Sequence, residues 1–395
     1  MLTVAGAAVN SSVVISGLTF AGGQAVGAGC PAGCGGAILI TGTASPRLAN
    51  LLLRDNTAGN QGGGLYAFNP SALVLAGVVL SNNVSLSHGG GASVLGDLGL
   101  QASTFVNNSC TALVCQGGGL QVTGNLQASA SRFLSNTSAV QAGGVYVFGS
   151  MTLAGDLFQN NQCTEFGCIA GGAIALDAAV VTGTQFISNT SLGNGGALVG
   201  SGPLTVTNSI FYDNHALNGG GLYISSLQAR LVNVLLGDNH AYLDGQEIKF
   251  DSAAGHLTVL HATLGGIAPG DGAAIYVAAG QAGITDTLIS TATIGIERAG
   301  GTVYEDYNLF AGVGAPLTGT VVSGGHSFTG TAGFVNAAAD NYHLALSSSA
   351  IDRGINAGVS FDIDGDHRPA GPRFDIGFDE YLAPIFKLYL PLVRR

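Results

Sequence analysis

Two matching tripeptides place acidic and imidazole side chains at equivalent positions along the chain. Asp213 and His215 flank one asparagine, and Asp238 and His240 flank another. If the chain repeats with this spacing, the two carboxylates stack roughly 5 Å apart, and like charges at that distance push their pKa values apart, as in many glycosidase sites. The alternative is that Asp is a favoured turn residue here. We prefer the alternative, because two copies are few and no Lys or Arg nearby could act as a base.

A second acidic cluster, near the carboxyl end, has the composition of a Ca²⁺ site. Aspartates alternate around Gly365, and Asp375 or Asp379 could add a further oxygen ligand; the alternating residues are Asp362, Asp364 and Asp366. Ca²⁺ prefers oxygen ligands, although the glycine is out of place for an EF-hand loop. The alternative, which we favour, is a turn whose carboxylates cap backbone amides and pair with Arg368 or Arg373.

Three tyrosines could form a platform for sugar rings. Tyr66, Tyr146 and Tyr223 follow equivalent Gly-Gly pairs, so we expect them on one outward face, with Phe68 and Phe148 beside them. Aromatic faces pack well against sugar rings. The alternative is that outward strand positions often hold tyrosine without any ligand.

Six cysteines form three local pairs, each just before a Gly-Gly: Cys30 and Cys34, Cys110 and Cys115, Cys163 and Cys168. Short disulfide loops would hold these longer connections in place, and disulfides indicate an extracytoplasmic location. Zinc is the alternative, but a cysteine-free repeat separates the second pair from the third, so four thiolates are not expected to converge on one ion. We therefore predict three disulfides.

All of these residues belong to one repeat of 25 to 28 residues. In each copy an apolar residue precedes an asparagine by three positions, and Gly-Gly recurs in step with it. The asparagines are Asn56, Asn83, Asn108, Asn136, Asn161, Asn189, Asn214 and Asn239. A repeat of this length predicts a solenoid, because one copy cannot bury its apolar face alone. The asparagines are then expected to form an internal ladder beside a stack of phenylalanines.

The residues after each Gly-Gly alternate as strands do. The first and third positions are apolar in all eight copies, and the position between them is mixed. We therefore expect Ala37, Leu39, Ala197 and Val199 to point inward. Stacking such strands in parallel gives an all-β helix.

The composition agrees with this fold and excludes several functions. Only 9% of residues are charged, the net charge is −11, and Gly accounts for 64 residues. No basic patch suggests nucleic-acid binding, and no apolar run reaches the roughly 20 residues of a membrane-spanning helix. The chain begins in what already reads as a strand with no signal peptide visible, so we expect a truncated amino terminus. We also expect a monomer.

The repeats carry a family resemblance. Gly171-Gly172-Ala173-Ile174 and Phe186-Ile187-Ser188-Asn189 resemble repeats of polymorphic outer-membrane proteins and related bacterial right-handed β-helix proteins. The resemblance implies a right-handed parallel β-helix of the pectate-lyase type, over residues 1–300, and placement at the cell surface. It does not imply lyase activity, and we find no motif like the catalytic sets of pectate lyases or polygalacturonases.

A different pattern follows. Asp306-Tyr307-Asn308, Tyr342-His343-Leu344, the aspartates around Gly365 and Asp375-Ile376-Gly377 resemble the choice-of-anchor Q module, which closes many secreted bacterial β-helix proteins. The resemblance implies a carboxy-terminal cap over residues 301–382, and a cap is needed because a solenoid otherwise ends in an open edge and core. Residues 383–395 then form a short tail.

Together these patterns predict a secreted or surface-attached solenoid without catalytic activity, whose long face mediates adhesion or contacts a polysaccharide or cell-surface glycan. A polysaccharide lyase or glycoside hydrolase using the Asp213 and Asp238 region is the second hypothesis, and a purely structural solenoid is the third. No cofactor is expected apart from the possible Ca²⁺.

Overall fold

A computed structural model describes residues 1–267 and 270–383. Within these residues the regular structure is β-strand apart from one short 3-10 helix, Ala337–Ala339. In the described part of the chain, no helix has the length and apolarity needed to cross a membrane.

The chain winds as a parallel β-helix in which each regular coil contributes four short strands. Strands in equivalent positions pair in parallel with the coils before and after, which builds four ladders along the molecule. Ladder 1 begins with Leu2–Ala5, Ile38–Thr41, Leu65–Phe68, Ala92–Leu95, Leu120–Val122, Val145–Val147, Ala173–Ala175, Leu198–Gly200 and Leu222–Ile224. Ladder 2 begins with Val14–Ser16, Arg47–Ala49, Leu73–Ala76, Leu98–Gln101, Leu126–Ser129, Met151–Ala154, Ala179–Thr182, Leu204–Thr207 and Gln228–Val232.

The two ladders then share two long strands, Ile248–Leu260 and Gly270–Thr285, and separate again. Ladder 1 ends with Ala292–Arg298 and Ala315–Thr318, and ladder 2 ends with Thr302–Asp306 and Val322–Ser323.

Ladders 3 and 4 complete the coils. Ladder 3 contains Thr19–Ala21, Leu52–Arg54, Val79–Ser81, Thr104–Val106, Arg132–Leu134, Leu157–Gln159, Gln185–Ile187, Ile210–Tyr212, Leu235–Gly237, Thr263–Gly265, Leu288–Ser290, Leu309–Ala311 and Phe328–Thr329. Ladder 4 contains Gln24–Ala25, Thr57–Ala58, Val84–Ser85, Ser109–Cys110, Thr137–Ser138, Gln162–Cys163, Thr190–Ser191, His215–Asn218 and His240–Asp244. This architecture confirms the predicted all-β parallel helix.

One continuous apolar core fills the interior of the coils. Its most regular part is a stack of phenylalanine rings with centroids 4.7 to 5.0 Å apart: Phe105, Phe133, Phe158, Phe186 and Phe211. The ring spacing matches the strand spacing of a parallel sheet. Identical side chains at each level therefore pack without gaps.

The inward and outward assignment was wrong in two of the eight coils. Leu65 of ladder 1 pairs with Ile38, and Ala173 pairs with Leu198, so Ile38 and Leu198 point inward. Ala37 and Ala197 also border the core, but Leu39 and Val199, which were expected inside, lie on the outer face. The physical reason is a three-residue turn before each strand. In six coils the last two residues of this turn are the Gly-Gly pair, but in the coils of Ala37 and Ala197 alanine takes the third position. The first residue after Gly-Gly in these two coils is therefore still part of the turn, and the strand begins one residue later.

The chain after the last coil returns along the side of the β-helix. Parallel pairing continues past residue 300 and ends at Phe328–Thr329. A hairpin of Phe334–Asn336 and Asn341–Leu344 follows, and then irregular chain to residue 383. We call residues 334–383 the return segment. Of the predicted tail, 383–395, all but the first residue lie outside the described residues.

The return segment covers the outer face of ladder 3 over its later strands. Tyr342 and Phe378 pack against Leu235, and Leu344 and Ile376 pack against Leu288. The same face is partly open in earlier coils, where Arg54 and Arg132 are exposed. The segment thus lies beside the coils, and Val322–Ser323, the last strand of ladder 2, keeps both residues exposed.

Candidate functional site

The eight asparagines of the repeat form one buried column. Each side-chain oxygen accepts the backbone N–H and the side-chain N–H of the asparagine one coil earlier, as between Asn136 and Asn161 at 3.1 and 3.0 Å. The amide of Asn161 also donates to the carbonyl of Phe133 at 2.8 Å. The column ends at Asn239, which donates to the buried carboxylate of Glu247 at 2.5 Å. The column satisfies backbone groups at a corner and leaves no polar atom for a ligand.

A second buried column was missed by the sequence analysis. Backbone N–H groups at the corner before ladder 3 donate to side-chain oxygens of the following coil: Ser103, Ser131, Asp156, Thr184 and Ser209. Each of these residues precedes a stacked phenylalanine by two positions. That spacing was the signal that could have identified the column.

The Asp213 and Asp238 region is a corner between ladders 3 and 4. Both residues have a positive φ and align with Asp55, Asn82, Asn107, Ser135, Asn160 and Ser188 at the same corner. Asp and Asn are the side-chain-bearing residues that adopt this conformation most readily. The geometry is therefore that of the turn alternative.

The structure does place the two aspartates on adjacent coils, but their oxygens are engaged. Asp238 accepts hydrogen bonds from Tyr212 and Tyr342 at 3.0 and 2.9 Å and from the backbone of Ile267 at 2.8 Å. Asp213 accepts from Ser188 at 2.7 Å and lies 3.2 Å from Nε2 of His215. The His215 and His240 rings are 5.8 Å apart between centroids. Three donors on Asp238 make it a structural acceptor.

The predicted aromatic platform is wrong for two of its three tyrosines. Tyr66 and Tyr146 are only 4% and 3% exposed. Tyr66 packs among Cys34, Leu39 and Leu95, and Tyr146 packs in a cluster of aliphatic side chains from neighbouring coils. Tyr223 is half-buried and donates to Asp251 at 3.2 Å. Alternation placed these side chains outside the core correctly, but the connections before each Gly-Gly fold over that outer face.

Two of the three predicted disulfides are present, Cys30–Cys34 and Cys110–Cys115. The third prediction was wrong, because Cys163 and Cys168 are free and buried. Their thiols hydrogen-bond to one another, and Cys168 also lies 3.5 Å from the Ser191 hydroxyl. Burial raises the pKa of Cys163, so its thiol stays protonated as the donor in this pair.

The acidic cluster is built mainly as a set of backbone caps. One oxygen of Asp362 accepts the N–H groups of Asp364 and Asp366, and the other accepts that of Glu380. Asp375 accepts N–H groups with both oxygens, at 2.6 and 2.7 Å. Every oxygen of these two carboxylates therefore accepts at least one backbone N–H, which is the turn geometry that the sequence predicted as the alternative to Ca²⁺.

Buried charges hold the acidic cluster together, and one of them, Asp286, links the return segment to the β-helix. Arg368 forms a 3.0 Å ion pair with Glu380 and donates to the carbonyls of Asp375 and Gly377. Asp286 on the helix corner accepts the N–H of Ile355 at 3.0 Å. Burial raises the pKa of Asp286 to about 7. A buried ion pair is expensive to break, so Arg368 and Glu380 hold the return segment in one shape, while the Asp286 contact attaches that segment to the β-helix.

The outer face of ladder 2 is exposed over seven consecutive coils. Its polar outward residues, which we call the polar strip, are interleaved with the apolar outward residues Gly99, Ala154 and Val180. The polar strip contains Gln101, Gln127, Ser129, Thr152, Thr182, Thr205, Thr207, Gln228, Arg230, His256 and Thr258. Two shallow grooves open on this face. One, of about 310 Å³, lies around Thr205, Arg230 and His256, and another, of about 260 Å³, lies around Asp97 and Gln127.

Comparison with known proteins gives no family for the chain. No known protein-family description matches it, and no curated protein matches it.

Proposed function

We propose that this chain is a secreted or cell-surface binding protein without catalytic activity, and that the polar strip contacts a polysaccharide. The observation that carries the proposal is the strip itself, in which each of the seven coils presents at least one hydroxyl or amide side chain. Hydroxyl and amide groups both donate and accept hydrogen bonds, which suits a neutral ligand rich in hydroxyls. A repeating surface with a spacing of roughly 4.8 Å suits a repeating polymer.

The location rests on the disulfides. The chain contains two disulfides. Disulfides persist in oxidising environments and are rare in reducing ones. The net charge of −11 also opposes the electrostatic attraction that nucleic acids and anionic membranes require. These features support an extracellular role for the strip.

A glycan array tests the proposal directly. We expect wild-type protein to bind at least one neutral or weakly charged polysaccharide. The double variant Thr152→Lys, Thr182→Lys places bulky charges on the strip and should weaken that binding by at least about tenfold, or about 1.4 kcal/mol. The matched control Gln162→Lys changes an exposed outward residue of ladder 4 in the same region and should bind as wild type does.

Two results would contradict the proposal in different ways. Absence of binding to any glycan would favour a purely structural solenoid. Polysaccharide cleavage by the wild type that is abolished in Asp213→Asn, Asp238→Asn would favour the hydrolase or lyase alternative. The hydrogen bonds on Asp238 argue against that second result, because a residue that already accepts from three donors is poorly suited to exchange protons with a substrate.

A further inference from the structure

A group of metal-ligating side chains lies where the return segment meets ladder 3. His343 comes from the hairpin strand Asn341–Leu344, and Asp364 and Asp379 come from the irregular chain after it. One ligand atom from each lies within 4.8 Å of the other two. His343 and Asp364 line a groove of about 310 Å³ together with Gln185 and Asn208 of the β-helix.

Hydrogen bonds fix the tautomer of His343. The side-chain oxygen of Asn341 accepts the backbone N–H of His343 at 3.2 Å, which identifies that atom as the amide oxygen. The same oxygen lies 2.7 Å from Nδ1 of the ring, so Nδ1 carries a proton and donates it. In a neutral ring, Nε2 then has a lone pair and no proton.

That lone pair faces a second electron-rich atom. Nε2 lies 2.8 Å from a carboxylate oxygen of Asp364, and neither atom has a hydrogen to donate. The contact is favourable only if a positive species lies between the two atoms. Either a proton on Nε2 or a metal ion supplies that charge.

Asp379 adds a third ligand side chain to this pair, which a metal ion would use and a proton would not. Its side chain is buried, with 6% of the residue exposed, and one oxygen accepts the N–H of Leu344 at 2.6 Å. Within residues 1–267 and 270–383 its other oxygen has no hydrogen-bond partner. Arg368, the nearby buried cation, directs its hydrogen bonds to Glu380 and to backbone carbonyls. Because Arg368 is committed elsewhere, a cation shared with His343 and Asp364 would balance the charge of the Asp379 carboxylate.

We propose that His343, Asp364 and Asp379 bind a divalent transition-metal ion of the Zn²⁺ class. One imidazole and two carboxylates suit Zn²⁺ and its neighbours, whereas Ca²⁺ takes six to eight oxygen ligands. Asn341 holds the unligated nitrogen of the ring, as the outer partners of metal-bound histidines do. Three protein ligands leave a coordination position that opens toward the groove. The site differs from the predicted Ca²⁺ site, since it needs neither Asp362 nor Asp375.

Calorimetric titration of the full, EDTA-treated chain with ZnCl₂ tests the assignment. We expect one Zn²⁺ per chain, and His343→Gln or Asp364→Asn should each weaken binding by at least about tenfold. The two side chains are 41% and 51% exposed, so these variants should keep the wild-type circular dichroism spectrum. His215→Gln is the matched control, because His215 is equally exposed and also faces an aspartate, Asp213. Its affinity for Zn²⁺ should equal that of the wild type.

Three outcomes would overturn the assignment. Wild-type protein that binds no Zn²⁺ would show that a proton occupies the position between Nε2 and Asp364. Equal losses in His215→Gln and His343→Gln would show that surface histidines bind the ion nonspecifically. Binding of CaCl₂ as tight as that of ZnCl₂ would show that the imidazole is not a ligand. None of these results bears on glycan binding by the polar strip.

Discussion

The column of hydroxyl groups before ladder 3 contains one carboxylate, Asp156. Its oxygens accept the N–H groups of Ser131 and Ala154 at 2.6 and 2.9 Å. Burial nevertheless raises the pKa of Asp156 to about 6, because two backbone hydrogen bonds only partly replace the lost hydration of the charge. The other coils place Ser or Thr here and avoid that cost.

A prediction about pH follows from this single residue. The folded-state pKa of Asp156 lies above that of the unfolded chain, so its stabilising effect is complete below about pH 4 and is lost as pH rises through about 6. Asp156→Ser keeps an acceptor for Ser131 and removes the charge. We expect the variant to gain about 3 kcal/mol relative to wild type between pH 4 and pH 8, measured by denaturant unfolding at several pH values.

The exposed residue Asp177 offers the control for that measurement. Asp177→Ser should leave the difference in unfolding free energy nearly constant across the same pH range, because the side chain is in contact with water. A constant difference for Asp156→Ser as well would show that the buried carboxylate is hydrated in solution.

At the scale of the strand and its turns, a three-residue corner before ladder 1 explains the Gly-Gly marker. The first residue of each triplet has a positive φ and is Gly or Ala, as in Gly117 with φ 70° and Ala142 with φ 50°. The second is glycine in all eight coils. A Cβ at Gly118 would lie 2.4 Å from the carbonyl oxygen of Thr137, whereas one at Gly119 meets its nearest atom at 2.8 Å. The third position accepts alanine in two coils, Ala37 and Ala197.

These contacts predict unequal effects of the same substitution at adjacent positions. Gly118→Ala forces the backbones of successive coils apart, and we expect it to lower the free energy of unfolding by about 3 kcal/mol or more. Gly119→Ala should cost less than about 1.5 kcal/mol, because alanine occupies this position elsewhere in the chain. Urea unfolding of both variants measures the difference. Equal losses of unfolding free energy would contradict the conclusion that adjacent coils approach each other most closely at the second glycine of the triplet.

At the scale of the whole molecule, the return segment is attached to the β-helix by specific polar contacts as well as by apolar packing. Tyr342 is fully buried and donates to Asp238 across 104 residues of sequence. Asn233 donates to the carbonyl of Phe361 at 2.6 Å, and the N–H of Phe378 donates to the hydroxyl of Thr263. Several coils are therefore held together by one segment that crosses them.

The Tyr342 hydroxyl provides a test of that attachment. Tyr342→Phe removes one hydrogen bond to a carboxylate, which contributes about 1.5 kcal/mol, and keeps the ring packing. We expect amide hydrogen exchange in residues 334–381 to accelerate by about tenfold, while exchange in the earlier coils is unchanged. Tyr304→Phe, at an exposed position, should change neither region. Faster exchange throughout the molecule would show that the segment and the coils unfold together.

The repeat determined the parallel β-helix, the buried asparagines and the phenylalanine stack, because their positions depend on spacing within each coil. The Gly-Gly pair and the residues equivalent to Phe105 and Asn108 recur once in each coil. This regular spacing places equivalent side chains at the same corner of successive coils. Local alternation also identified most core residues of ladder 1.

Only the tertiary structure decided what covers each outer face and what each polar atom contacts. Alternation shows that Tyr66 points away from the core, but not that a connection folds over it. Likewise Asp238 and Asp213 have the same neighbours in sequence, but Asp238 also accepts a hydrogen bond from Tyr342, which lies 104 residues further along the chain. The third cysteine pair has the spacing of the second and still remains reduced. The physical reason is that the repeat length fixes which residues of successive coils are in contact. The segments that cover the outer faces, and the hydrogen-bond partners that they bring, lie outside the repeat, so the repeat does not predict their paths.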